Sequence, residues 1–97
     1  MKPVIEIIWL EQFVRKLLIK HDVETSEVEE LFGSNPYIRF VKKGSQKGED
    51  VYMALGQLES SGRYLVAFYI KKANNQALVI SARDMDEKER KLYEQSK

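Results

Sequence analysis

The chain has 97 residues, of which 43% are hydrophobic and 32% charged, with 16 Lys and Arg set against 15 Asp and Glu. That length predicts one domain spanning residues 1–97. A chain of this size buries only roughly 60–70% of its unfolded surface, while the hydrophobic content and small net charge exclude wholesale disorder. The absence of Cys excludes disulfides and thiolate metal sites and points to a reducing, cytoplasmic setting. No apolar run approaches the ~18 residues of a membrane span. Glu6 interrupts the short apolar stretch from Val4 to Ile8, so no signal peptide is predicted.

Val4 to Ile8 reads as a short strand of β-branched residues. Leu10, Phe13, Val14, Leu17 and Leu18 then recur at helical spacing, with Glu11, Gln12, Arg15, Lys16 and Lys20 on the other face; His21-Asp22 ends this helix. A second, shorter helix buries Val28, Leu31 and Phe32. Ser26 with Glu29 fits a capping box at its start, and Glu24 or Thr25 is the alternative start. Gly33-Ser34-Asn35-Pro36 stops it.

Strands follow. In Tyr37 to Lys42, Ile38 and Phe40 share one face, and Tyr37, Arg39 and Val41 the other. A polar loop, Lys43 to Glu49, leads to a strand over Val51 to Gln57. The turn Glu59-Ser60-Ser61-Gly62 leads to another over Arg63 to Lys71. Asn74-Asn75 tolerates the positive φ of a hairpin turn. Ala77 to Ala82 is apolar enough for a strand buried on both faces. Last comes a helix opened by the D-x-x-E pattern of Asp86 and Glu89, with only Met85, Leu92 and Tyr93 to bury; it should dock weakly.

The order β-α-α-β-β-β-β-α defines an α+β class. An antiparallel sheet packs against two N-terminal helices, with a short C-terminal helix after it. Charge is unevenly spread along the chain. Glu24 to Glu30 is acidic, whereas Lys42 to Lys47 and Lys71 to Lys72 are basic, though such runs are usually solvated surface.

Several segments in a shared order resemble the BrnT toxin family. They are Trp9 with His21-Asp22-Val23 twelve residues on; Val28-Glu29-Glu30-Leu31-Phe32 with Asn35-Pro36; Tyr52-Met53-Ala54-Leu55-Gly56 with Gly62-Arg63-Tyr64-Leu65-Val66; and Val79-Ile80-Ser81-Ala82-Arg83 closed by Glu89-Arg90-Lys91-Leu92-Tyr93-Glu94. The resemblance covers about Ile7 to Glu94. It implies a RelE/ParE-like fold, ribonuclease activity within a type II toxin–antitoxin system, and a DNA-binding antitoxin of the BrnA kind as partner. The chain departs from the family pattern at Leu10, Phe13 and Leu17, where family members carry polar groups, and at Asp22, where they carry Gly. These departures motivate a second reading, a non-catalytic interaction domain that binds an antitoxin-like protein or RNA without cutting.

Metal-independent RNA cleavage needs a base near the 2′-oxygen, an acid near the leaving oxygen and cations for the charged transition state. The one His, His21, is the first acid–base candidate; the competing reading is a charge at a helix C-terminus. Arg63 and Arg83 flank strand ends and can hold phosphate bidentately. For Arg83 the competitor is an ion pair with Asp84, Asp86 or Glu89 that anchors the last helix. Both arginines are expected to converge on one cationic hollow at the sheet's rim. Arg39, with Lys42, Lys43 and Lys47, makes a candidate basic edge for the RNA backbone. Tyr52, Tyr64 and Tyr69 are candidates for stacking on bases, against the plainer role of half-buried sheet residues. Tyr93 is a possible proton donor, with core packing as its alternative. No metal-ligand spacing, phosphate loop or nucleophile elbow is present, so no cofactor is expected. Part of an antitoxin-docking surface should stay exposed in the free chain, and self-association through it is open.

Overall fold

The computed structural model describes residues 6–46 and 48–97. Strand β1 (Glu6–Ile8) leads into helix α1 (Glu11–His21), followed by α2 (Thr25–Gly33), β2 (Tyr37–Lys42), β3 (Val51–Gln57), β4 (Tyr64–Lys72), β5 (Gln76–Asp84) and α3 (Glu87–Gln95). This is the α+β order predicted above. Val4 and Ile5, in the predicted first strand, and Lys47, in the predicted basic edge, lie outside the described residues.

All five strands form one sheet in the order β1-β5-β4-β3-β2. β2 to β5 make the expected antiparallel meander, but β1 adds to β5 in parallel, so the sheet is mixed. The crossover that a parallel pair requires is supplied by the whole of the chain between β1 and β5.

Helices α1 and α2 cover one face, α1 over β5 and α2 over β3. Leu17, Val28 and Leu31 are buried there against Ala54, Leu65, Ala67 and Val79. Each such side chain contributes about 1.5–3 kcal/mol by leaving water. The α1 stripe is narrower than its periodicity predicts: only Leu17 is fully buried, while Leu10 is 38% and Leu18 51% exposed. Asp22 ends α1 in the left-handed region at φ 52°, ψ 44°, the conformation that explains Gly in the family pattern; Asp adopts it at tolerable cost. The capping box of α2 falls two residues earlier than Ser26 and Glu29 would place it, at the alternative start Glu24, with Glu27 reaching back. The same Glu27 carboxylate also accepts from Arg63 (below).

The opposite face carries α3, which buries no side chain fully. Its start follows the predicted pattern: Asp86 accepts from the Glu89 amide at 2.8 Å, and Glu89 accepts from the Asp86 amide at 2.9 Å. Below it lie Leu55, Val66 and Met85, with Tyr37, Met53, Tyr64, Phe68 and Tyr93 partly buried around them. Asn74 and Asn75 turn the chain between β4 and β5 at φ 62° and 60°.

Two irregularities set which side chains share a face. Phe40 pairs with Tyr52 and Lys42 with Val51, leaving Val41 without a partner on β3. This bulge leaves Phe40 and Val41 51% and 40% exposed and carries Lys42 onto the face of Arg39, since Val51 and Met53 share a face. A second shift falls between Phe68 and Tyr69, whose partners are Ser81 and Val79, so Ile80 is the extra residue.

Candidate functional site

Arg63 sits where four elements meet, on the helix-covered side. Its Nε donates to Asp84 Oδ1 at 2.5 Å, Nη1 to both Glu27 carboxylate oxygens at 3.0 Å and to the Asp22 carbonyl at 2.9 Å, and Nη2 to the His21 carbonyl at 3.1 Å. The guanidinium therefore closes the C-terminus of α1, fixes the first turn of α2 and ties both to the end of β5. These carboxylates, Asp84 foremost, hold its pKa above the ordinary arginine value, against a smaller opposing effect of burial.

Arg83 sits on the other side of the sheet. Its Nη1 and Nη2 donate to the two Glu89 oxygens at 2.6 and 2.8 Å, Nη1 also reaches the Asp84 carbonyl at 3.2 Å, and the guanidinium lies 5.3 Å from the Phe68 ring centre. Hydrogen bonding to Glu89 raises its pKa despite partial burial. The expected convergence of Arg63 and Arg83 is thus not found. Arg83 pairs with Val66, so both point to the α3 side, while Arg63 reaches the ends of α1 and α2. Both are at the same rim, on opposite faces, each engaged by carboxylates.

His21 is half-buried at the end of α1, and its carbonyl, not its ring, is what meets Arg63. Tyr69 is buried at 2% exposure, stacked on Tyr52 at 5.9 Å and met edge-on by Phe32 at 5.2 Å. Its ring has no open face for a base, which corrects that expectation. Burial first, and Tyr52 second, push its phenol up to about 12. Tyr52 lies between Tyr69 and the edge ring of Phe40, 5.6 Å away, also on the helix side. Tyr64 is likewise occupied: Arg90 lies over its ring at 3.9 Å and Tyr93 meets it edge-on at 6.2 Å. Arg39 donates from Nη1 to the Tyr37 hydroxyl at 3.1 Å.

The sheet register brings a different set together. On the α3 side, one row across the strands reads Tyr37, Leu55, Val66, Arg83; the next reads Arg39, Met53, Phe68, Ser81; a third reads Lys42, Val51, Ile70, Leu78, Ile8. α3 and Met85 cover the first row. Beyond it Met53, Phe68, Ile70, Leu78 and Ile8 stay half-exposed, an apolar floor with Arg39 and Lys42 at one side and Arg83 toward the other. From Arg39 to Ser81 spans three strand separations, about 14 Å. Arg39, Lys42 and Arg83 were singled out in the sequence. Phe68, Ile70, Leu78 and the part played by Glu89 at Arg83 were not, though the alternation within 64–72 already places Phe68 and Ile70 with Val66. Among the described residues no three His, Cys, Asp or Glu gather as a metal-binding group.

No curated protein matches the chain. The model of the family described as the ribonuclease toxin, BrnT, of a type II toxin–antitoxin system matches residues 9–89, from Trp9 on the core to Glu89 on Arg83. With most of its length matched, the chain belongs to the BrnT family of ribonuclease toxins of type II toxin–antitoxin systems.

Proposed function

We propose that this chain cleaves RNA without a metal ion, and that the RNA lies across the open part of the α3 face. The observation that carries this reading is an apolar floor left partly exposed by the described residues, with cations at both ends, Arg39 and Lys42 on β2 and Arg83 on β5. Single-stranded nucleic acid is held by such a combination, bases over apolar and aromatic surface and phosphates on cations. Arginine also stabilises the extra charge of a pentavalent phosphate directly, without an intervening metal. In this reading the ribose 2′-hydroxyl gives its proton to water as its oxygen attacks the adjacent phosphorus, the bond to the 5′-oxygen breaks as that oxygen takes a proton from water, and a 2′,3′-cyclic phosphate remains. Arg83 contacts that phosphate and Arg39 and Lys42 its neighbours. Arg63 organises the helix ends, and His21, held among them, stays away from the RNA.

The fold is read as RelE-like, from a helix pair on one side of the meander and a short C-terminal helix on the other. The partner is read as a BrnA-like antitoxin in the cytoplasm. The apolar surface left open on α1, at Leu18 and Ile19, and on β2, at Phe40 and Val41, supports a protein partner or self-association. A second reading, RNA or antitoxin binding without cleavage, is favoured by one observation: the two guanidinium groups best suited to catalysis are already engaged by carboxylates. Leu10, Phe13 and Leu17 on α1 point the same way.

An RNA cleavage assay in the presence of a chelator separates these readings. Cutting that is lost in Arg83→Ala and kept in His21→Ala places the chemistry on the sheet face; the reverse moves it to the end of α1. RNA that stays intact but bound leaves only the non-catalytic reading.

A further inference from the structure

We infer that Glu89 occupies the place of an RNA phosphate on Arg83, so that the chain holds its own anion site closed until a phosphate displaces the carboxylate. This rests on the reading that RNA lies on the α3 face, and deepens it by naming how that face is regulated.

The geometry is that of bidentate anion recognition. Two guanidinium nitrogens meet two carboxylate oxygens at 2.6 and 2.8 Å, the arrangement arginine makes equally with a phosphate. Three further features make the pair exchangeable. First, Arg83 has a second support that does not depend on Glu89, the Phe68 ring beneath it. Second, Glu89 has a second partner of its own, the Asp86 amide at 2.9 Å, so its carboxylate stays in the helix cap when Arg83 turns away. Third, the Arg83 side chain is 34% exposed, whereas Glu89 is 13% exposed and lies on the inner side of the pair. A phosphate can therefore approach Arg83 from the open floor without α3 leaving. The other charge acting on Arg83 is Asp86, whose field adds to that of Glu89, while Arg90, one residue further along α3, is held over Tyr64.

The contrast with Arg63 sharpens the assignment. That guanidinium is met by groups from α1, α2 and β5 at once, and no single exchange releases it.

The test is a double-mutant cycle on the full chain, with Glu89→Gln, Arg83→Ala and both together, binding a short fluorescent oligouridine in chelator. Gln keeps the length of the side chain and its oxygen still accepts from Asp86, so the helix cap is retained. Glu89→Gln should tighten binding roughly 5- to 10-fold. It should also steepen the fall of log affinity with log salt by up to about 0.7, because in the wild type the displaced Glu89 carboxylate takes up a cation that offsets the one the phosphate releases. In the Arg83→Ala background the same substitution should change neither. An equal gain in that background, or an unchanged salt slope in Glu89→Gln, overturns the inference, because removal of a negative charge or loosening of α3 would then explain the effect. Inorganic phosphate, followed by the NMR shift of the Arg83 Nε–H, separates this failure from that of the RNA reading. Phosphate binding by Glu89→Gln with no RNA binding by any form keeps the closed anion site and removes the RNA reading. Binding of neither removes both.

Discussion

Replacing Arg63 by Ala tests whether this residue is scaffold or active-site group. Truncation removes every hydrogen bond that joins the end of α1 to α2 and β5 through this side chain. The pair with Asp84 contributes little to the loss, since Asp84 is 67% exposed and rehydrates. Glu27 is different: at 23% exposure it keeps part of its desolvation cost without its cation, and the His21 and Asp22 carbonyls lose their donor. Breaking a fully buried pair costs about 3–5 kcal/mol. With both partners about a fifth exposed, the expectation falls to about 2–3 kcal/mol. For a domain of this size that lowers Tm by roughly 10–20 °C. Thermal unfolding followed by circular dichroism reads it. Arg63→Lys should recover only part, because one ammonium cannot point in three directions from a planar fork. A variant that loses under about 3 °C in Tm yet no longer cuts RNA would refute the scaffold reasoning and return Arg63 to the catalytic machinery.

Tyr69 gives a prediction at alkaline pH. Its folded pKa is raised from 10.0 to about 12, so the folded state holds the phenol proton more tightly than the unfolded chain does. The associated stability is fully present below pH 10 and is lost as pH rises toward 12, roughly 2–3 kcal/mol in all. Tyr69→Phe should remove that alkaline loss from denaturant midpoints, and an equal loss in the variant would count against it. Gly56→Ala should destabilise by about 1–3 kcal/mol, because a Cβ there would lie 2.7 Å from Leu31 Cδ1 beneath α2. Chemical denaturation checks this, and an unchanged midpoint would mean that Leu31 moves aside freely. Asp86→Ala should cost about 1 kcal/mol and speed amide exchange in α3 alone, since that helix has no buried side chain to hold it. Exchange that rises equally in the sheet would show α3 to be integral to the core.

What the sequence displayed and what it hid follow from range. Local chemistry was legible: Asp86 with Glu89 as a cap, Asn74-Asn75 at positive φ, and the stop at Gly33 to Pro36 each depend on residues within one turn. The width of a buried stripe was not, because periodicity shows which face of α1 points inward but not how much sheet lies under it; Leu18 remains half in solvent. Faces across strands were the largest gap. Alternation orders side chains within β4 and within β5, but whether Arg63 and Arg83 meet depends on pairing Leu65 with Asp84, a contact nineteen residues apart along the chain. The bulge at Val41 is another such case. One unpaired residue transfers Lys42 to the face of Arg39, and nothing in Tyr37 to Lys42 announces it.

The near-zero net charge takes on a particular meaning once the pairs are seen. Arg63 faces Glu27 and Asp84, Arg83 faces Glu89, and Lys72 faces Glu49 at 3.8 Å, so part of the balance is internal pairing. What decides function is which pairs can be exchanged for an external anion. Release of Arg63 would cost bonds to three elements and undock two helices from the strand end. Release of Arg83 costs one bond to the Asp84 carbonyl and one carboxylate, itself largely buried, on a helix with no fully buried side chain, with an aromatic ring still beneath the guanidinium and an amide still on the glutamate. The same residue type thus stands at two points of one rim with opposite capacities. The difference lies in how many elements each guanidinium holds, which makes residue 83, and not residue 63, the place where a phosphate can compete.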